Sequence, residues 1–224
     1  MRKSDVHEVL ATLYLRLNGY FTTGLILHSN EWGQARTEID CLAIRHPHHL
    51  QPERCVETAE FLRTRQAEID LILCEVKSSP DDLRFNDPIR TDVEAICAAL
   101  RWSGLLEEEQ VRSVAERLQP LLQGGVPAEV SRRGIVEGAC RVRPLLCCPP
   151  CHESDPNRWC LTGSEIFRFV RQCFNPPTPR DSCSTRYNFQ QWGYPFTPIV
   201  RVFKNEQGAR PVALEDLYKC LEAE

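Results

Sequence analysis

No run in the 224-residue sequence approaches the ~20 apolar residues that a membrane-crossing helix needs, so a transmembrane protein is not expected. The opening stretch, MRKSDVHEVLATLYLRL, carries charges inside its apolar pattern and no small-residue cleavage site follows it. It therefore reads as part of the folded chain rather than as a secretory signal, and the expected location is the cytoplasm. Positive charge is scarce too. The 27 Lys and Arg against 31 Asp and Glu leave a net charge of −4, without the global basic field of a nucleic-acid packaging protein. An enzyme with a local groove is not excluded on that ground, because metal-binding carboxylates themselves add negative charge. Lysine is especially rare, limited to Lys3, Lys77, Lys204 and Lys219. Internal repeats and low-complexity tracts are absent.

What remains is the composition of an ordinary globular protein, 42% hydrophobic and 26% charged, long enough to bury a sizeable core. Twelve cysteines are many for an intracellular chain but too few for a disulfide scaffold. Cys41, Cys55, Cys74 and Cys97 fall inside apolar patterns, as buried small hydrophobes do. Helical spacing of Val6, Leu10, Leu13, Tyr14 and Leu17 predicts a first helix over 5–18, closed by Gly19. FTTGLILHS and RTEIDCLAIRH predict two paired strands around the loop NEWGQA. Residues 46–68 read as an insertion with a helical middle, ERCVETAEFLRTR. A third strand is expected at IDLILCEV, then helices at DVEAICAALRWSGLL and EEQVRSVAERLQPLL. A buried strand follows at Arg141–Cys148, and TGSEIFRFVRQCF forms a helix capped by Thr162 or Ser164. After an irregular Pro-rich stretch come a short strand, IVRVF, and a final helix, ALEDLYKCLEA. The order predicts a mixed α/β arrangement around one sheet, with a Pro/Cys-rich C-terminal elaboration.

The third predicted strand ends unusually. After an apolar run, LILC, it finishes in Glu75-Val76-Lys77. Side chains at i and i+2 of a strand share a face, so Glu75 and Lys77 point together. Burying either charge alone would be costly. On the neighbouring strand Glu38 and Asp40 share a face in the same way; Asp40 lies deeper in its apolar run. Adjacent strands would let Asp40 and Glu75 hold one divalent ion between them. Two carboxylates, the backbone carbonyl of Val76 and waters suit a hard cation such as Mg²⁺ or Mn²⁺. A lysine beside that ion can orient an attacking water and stabilise charge building on a phosphate.

This constellation, Asp40 followed by Glu75-Val76-Lys77, resembles the signature of the PD-(D/E)xK nuclease superfamily. Its Holliday-junction-resolvase-like and Mrr-like branches also carry a glutamate on the first helix, and Glu8 stands in the matching place. The resemblance covers about residues 5–105 and the strand and helix from about 140 to 173. It departs from the pattern at Ile39, where many members have Pro, and in the long gap from Asp40 to Glu75. A QxxxY pattern at Gln190–Tyr194 lies too far downstream to be the one some members carry. The resemblance implies a restriction-endonuclease-like central mixed sheet flanked by helices. Residues 1–174 would form the nuclease-like core, and 175–224 an extension packed on the same domain. It further implies a metal-dependent endonuclease acting on DNA (RNA not being excluded), in defence against foreign DNA or in repair. Asp40, Glu75, Val76 and Glu8 would hold the metal, and Lys77 would serve the water. The products would carry 5′-phosphate and 3′-hydroxyl ends. Arg84 and Arg90, downstream of the motif, are candidates to contact phosphates. A homodimer or partner protein would help an acidic chain hold its substrate.

Two other readings stand beside this one. The same fold can persist as a catalytically inactive adaptor. In CCPPCHESDPNRWC, Cys148 and Cys151 have the spacing of a zinc knuckle, with His152, Cys160 or Cys173 to complete the set. Zn²⁺ there would make a zinc-stabilised nucleic-acid-binding module. Packed free thiols are the plainer alternative.

Overall fold

The computed structural model describes residues 2–29, 31–51, 56–64, 68–153, 158–175, 193–205 and 211–222, with backbone alone for 220–222. The first helix, α1 (Lys3–Leu17), buries Val6, Leu10, Leu13, Tyr14 and Leu17, as its spacing predicts. The hairpin that follows pairs β1 (Phe21–His28) with β2 (Ala35–Arg45), and β2 in turn runs antiparallel to β3 (Ile69–Val76). A crossover through α2 (Asp87–Thr91), α3 (Val93–Ser103), α4 (Glu108–Leu118) and α5 (Ala128–Arg133) then reverses the direction. After the short β4 (Ile135–Glu137), β5 (Cys140–Cys148) lies parallel to β3. The strand β6 (Cys160–Thr162) leads into α6 (Gly163–Phe174), whose cap is Thr162. Among the described residues the sheet is mixed and open, with six strands in the order β1-β2-β3-β5-β4 and β6 beside β5.

Helices cover both faces of this sheet. On β3, Ile72 and Cys74 join α1 and α6 in one buried cluster, while Leu71 and Leu73 join α3 and α4 in the other. Burial on both sides explains the apolar runs LILC in β3 and PLLCC in β5. At the amino end of β3, Asp70 is fully buried and satisfied. Arg143 Nε donates to it at 2.8 Å, and the Tyr20 hydroxyl donates at 2.5 Å. The guanidinium of Arg143 also lies 4.7 Å from the Trp159 ring centre.

The structure corrects two expectations. IVRVF is helical, within α7 (Phe196–Lys204), rather than a strand. Its β-branched residues mislead; Ile199, Val200 and Phe203 are buried at helical spacing, and Pro198 falls in the first turn, where its missing N–H costs nothing. The helical middle expected in 53–65 is, over its described residues, a single 3₁₀ turn at Glu60–Leu62. Its buried Leu62 and the bond from Ala59 N–H to Asn18 tie that turn down locally. The final helix, α8 (Leu214–Glu222), lies as expected. The irregular stretch expected over 175–198 falls mostly outside the described residues, as do Gln190 and Cys55. Among the described residues no helix is long and apolar enough to cross a membrane.

Candidate functional site

The carboxyl end of β3 meets the middle of β2, and the local backbone there is irregular. Where β1 steps from Thr23 to Leu25, β2 steps from Leu42 to Ile39, so Asp40 and Cys41 form a bulge. Bulges re-aim side chains and twist a strand locally. The regular β2–β3 register stops at Cys41 opposite Cys74. Beyond it the Asp40 side chain takes over from the backbone, its Oδ2 accepting from Val76 N–H at 2.6 Å. A carboxylate thus stands in the ladder where a carbonyl would otherwise be.

Glu75 lies next to this bond and is only 3% exposed. Its Oε1 accepts from Lys77 Nζ at 2.8 Å, and the same ammonium donates to Asn86 Oδ1 at 3.0 Å. Asn86 stands at the N-cap of α2, yet its side chain does not cap that helix. It holds Lys77 instead. The other carboxylate oxygens, Asp40 Oδ1 and Glu75 Oε2, accept no hydrogen bond among the described residues.

The electrostatics follow from crowding like charges in a partly dry place. Burial, and then the charge of Asp40, pushes Glu75 up to about 7 from an ordinary 4.5. Burial also raises Asp40, against the opposing pull of the Val76 N–H and Lys77. Glu8, half-buried on α1, is raised by burial and next by Asp40. Glu75 and Glu8 therefore each feel the charge of Asp40, although the three come from three separate elements. Among the described residues no three His, Cys, Asp or Glu side chains form a ready ligand cluster. The donor set nevertheless suits a hard cation: two repelling carboxylates with uncommitted oxygens, beside a strand end.

An open groove runs from this centre along α2. Asp40, Lys77, Glu38, Arg36, Arg84 and Asn86 line it. Arg84 is exposed and pairs with Asp82 at 2.9 Å. Arg90 is not in the groove; it pairs with Asp87, and its Nε is buried without a partner. Arg36, at the start of β2 and paired with Asp92, belongs to the groove although the motif gives no hint of it. Asn86 is likewise invisible to the motif, and only the turn signal Asn-Asp-Pro marks its place.

The cysteine cluster is a separate feature. Cys148, Cys151 and Cys160 are buried in the cluster beneath α3 and α4, whereas His152 is exposed and Cys173 half-buried. Cys151 N–H donates to Cys148 O at 2.9 Å, closing a turn over the two prolines. The start of α6 packs on this turn, with Gly163 N–H donating to Cys151 O at 2.9 Å. Burial, and then a hydrogen bond with the Cys151 thiol, still pushes Cys148 up to about 12, so it rests protonated at neutral pH. Nine cysteines lie among the described residues, and no disulfide joins any two of them.

The chain matches no family model, no curated protein and no solved structure.

Proposed function

We propose that this chain is a metal-dependent nuclease that hydrolyses phosphodiester bonds, with DNA as the favoured substrate, on a restriction-endonuclease-like form of the mixed sheet. One observation carries the reading. Asp40, Glu75 and Lys77, separated by up to 37 positions of sequence, meet at one strand end, where burial raises both carboxylates and the Asp40 charge raises Glu75 further. A structural ion pair on a solvated edge needs neither the burial of Glu75 nor a second carboxylate within reach of its charge.

In this reading Asp40, Glu75 and the Val76 carbonyl would hold Mg²⁺ or Mn²⁺, with Glu8 in support. A bound divalent ion supplies Lewis acidity toward the phosphate and lowers the pKa of water. Lys77, fixed at two points by Glu75 and Asn86, presents one ammonium to the groove, where it orients the attacking water and stabilises the added negative charge on phosphorus. The water oxygen forms the new bond to phosphorus as its proton passes to solvent, and the bond to the 3′ oxygen breaks, that oxygen taking a proton from solvent to leave as a hydroxyl. Arg36 and Arg84 line the groove where a backbone would run, a positioning role that carries no sequence information.

The test is cleavage of single- and double-stranded DNA and RNA by the full chain with Mg²⁺, Mn²⁺ or EDTA. Cleavage should require the divalent ion, and Lys77→Ala should lower it by about 100-fold or more. Binding of nucleic acid without any divalent-dependent cleavage would support the inactive adaptor instead.

A further inference from the structure

Immediately beside the site lies a polar chain, centred on a buried histidine, that the proposed chemistry does not use. His7, next to Glu8 on α1, is only 2% exposed. Its Nδ1 lies 2.8 Å from Ser78 Oγ, and Ser78 is the residue after Lys77. Its Nε2 lies 2.5 Å from the Tyr218 hydroxyl, 211 positions along the chain on α8. A neutral imidazole has one donor and one acceptor nitrogen, so both hydrogen bonds can form at once in either tautomer. The two rings sit 5.8 Å apart at 55°, and Lys3 Nζ stands 5.0 Å from the Tyr218 ring centre.

The placement gives the chain a task. The last backbone bond of the sheet at this end is Lys77 N–H to Cys147 O, at 2.7 Å. Past it the chain leaves the sheet, and the next polar anchor is Ser78 on His7. Lys77 is therefore held by the sheet before it, by Glu75 and Asn86 at its tip, and by His7 just after it. The same imidazole sits on the helix that carries Glu8. One side chain thus fixes the spacing between α1 and the strand end, and Tyr218 fixes the side chain.

We propose that Ser78, His7 and Tyr218 form a positioning relay that locks the Lys77–Ser78 turn against the Glu8 helix and makes α8 part of the working site. The relay touches neither substrate nor metal; it acts through Lys77 and Glu8. It rests on the nuclease reading for its purpose, but its geometry can be tested without any catalysis.

Two variants of the full chain separate these questions. Tyr218→Phe deletes one hydroxyl and keeps the ring; Ser78→Ala deletes the other end of the relay at an exposed position. Hydrogen exchange followed by mass spectrometry reads the backbone over residues 76–80, and thermal unfolding reads the whole fold. Each variant should raise exchange in that segment by about tenfold, the cost of one net hydrogen bond, while the melting temperature stays close to wild type. In the cleavage assay each should lower kcat by about tenfold with KM little changed, because position and not affinity is lost. His7→Asn, which keeps a donor near Nδ1, should restore protection more than His7→Leu does. Unchanged exchange over 76–80 in both variants overturns the relay, whatever the activity. Absence of cleavage in the wild type overturns the nuclease reading alone, and the exchange result then still decides the relay.

Discussion

Among single residues, Glu75 dominates the centre, a nearly inaccessible carboxylate that pairs with Lys77 and feels the charge of Asp40. Its pKa of about 7 lies above the unfolded value near 4.5, so the folded state holds its proton more tightly than the unfolded state does. The stability linked to that proton is present below the unfolded value and is lost as pH rises through 4.5 to about 7. Glu75→Gln mimics the protonated form at every pH. The variant should be close to wild type in stability near pH 4.5, and should become more stable than wild type as pH climbs past 7. A gain on the order of 2 kcal/mol is expected, after the lost charge on the Lys77 contact is set against the relieved repulsion. Urea unfolding of both proteins across that range checks it. A constant difference at all pH values would mean that Glu75 is not the group under strain. Divalent ions should reduce the difference, since positive charge relieves the same repulsion in the wild type.

At the scale of elements, the site depends on where a strand stops being regular. The bulge at Asp40 and Cys41 frees a carboxylate to cap the end of β3, which a straight β2 would have left in the ladder. A second junction of this kind holds the cysteine turn. A Cβ added at Gly163 would stand 2.0 Å from the carbonyl oxygen of Pro149, so the helix start and the turn can approach only through glycine. Gly163→Ala should therefore push α6 off the turn and cost roughly 1–3 kcal/mol in urea unfolding. Gly124→Ala is the control: it has open space around it and a backbone that other residues can adopt, and it should be near neutral. If the two substitutions cost the same, the contact between α6 and the turn is not what the glycine protects.

At the scale of the whole molecule, the helices at the C-terminal end belong to the same interior as the first helix. Ile199, Val200 and Phe203 of α7 and Leu217 of α8 are all fully buried in the cluster that includes α1 and α6. Phe203 lies between Phe167 and Phe174, with ring centres 5.4 and 6.4 Å away. Phe203→Ala should cost about 3–5 kcal/mol, as large-to-small changes in such a core do. Tryptophan fluorescence and far-ultraviolet circular dichroism should still fall in one shared transition. A separate early transition in the variant would mark 193–222 as an independently folding appendage.

Four strands, β1, β2, β3 and β5, and most of the helices were legible in the sequence by itself, because burial writes apolar runs into β3 and the second half of β5 and amphipathic spacing into α1, α3, α4 and α6, whereas the three-residue β4 and β6 are too short to leave a pattern. The sequence also made Asp40, Glu75 and Lys77 legible as a group, since period-two geometry fixes which charges share a strand face. It misassigned α7, where β-branched residues suit a strand locally and only packing against α6 and α1 favours the helix. What it could not contain was any distance between parts far apart in the chain. Asn86 under Lys77, Arg36 in the groove and Tyr218 on His7 were decided by tertiary structure alone. A hydrogen bond across 211 positions leaves no local pattern, because its energy depends on two surfaces meeting and not on the residues around either partner.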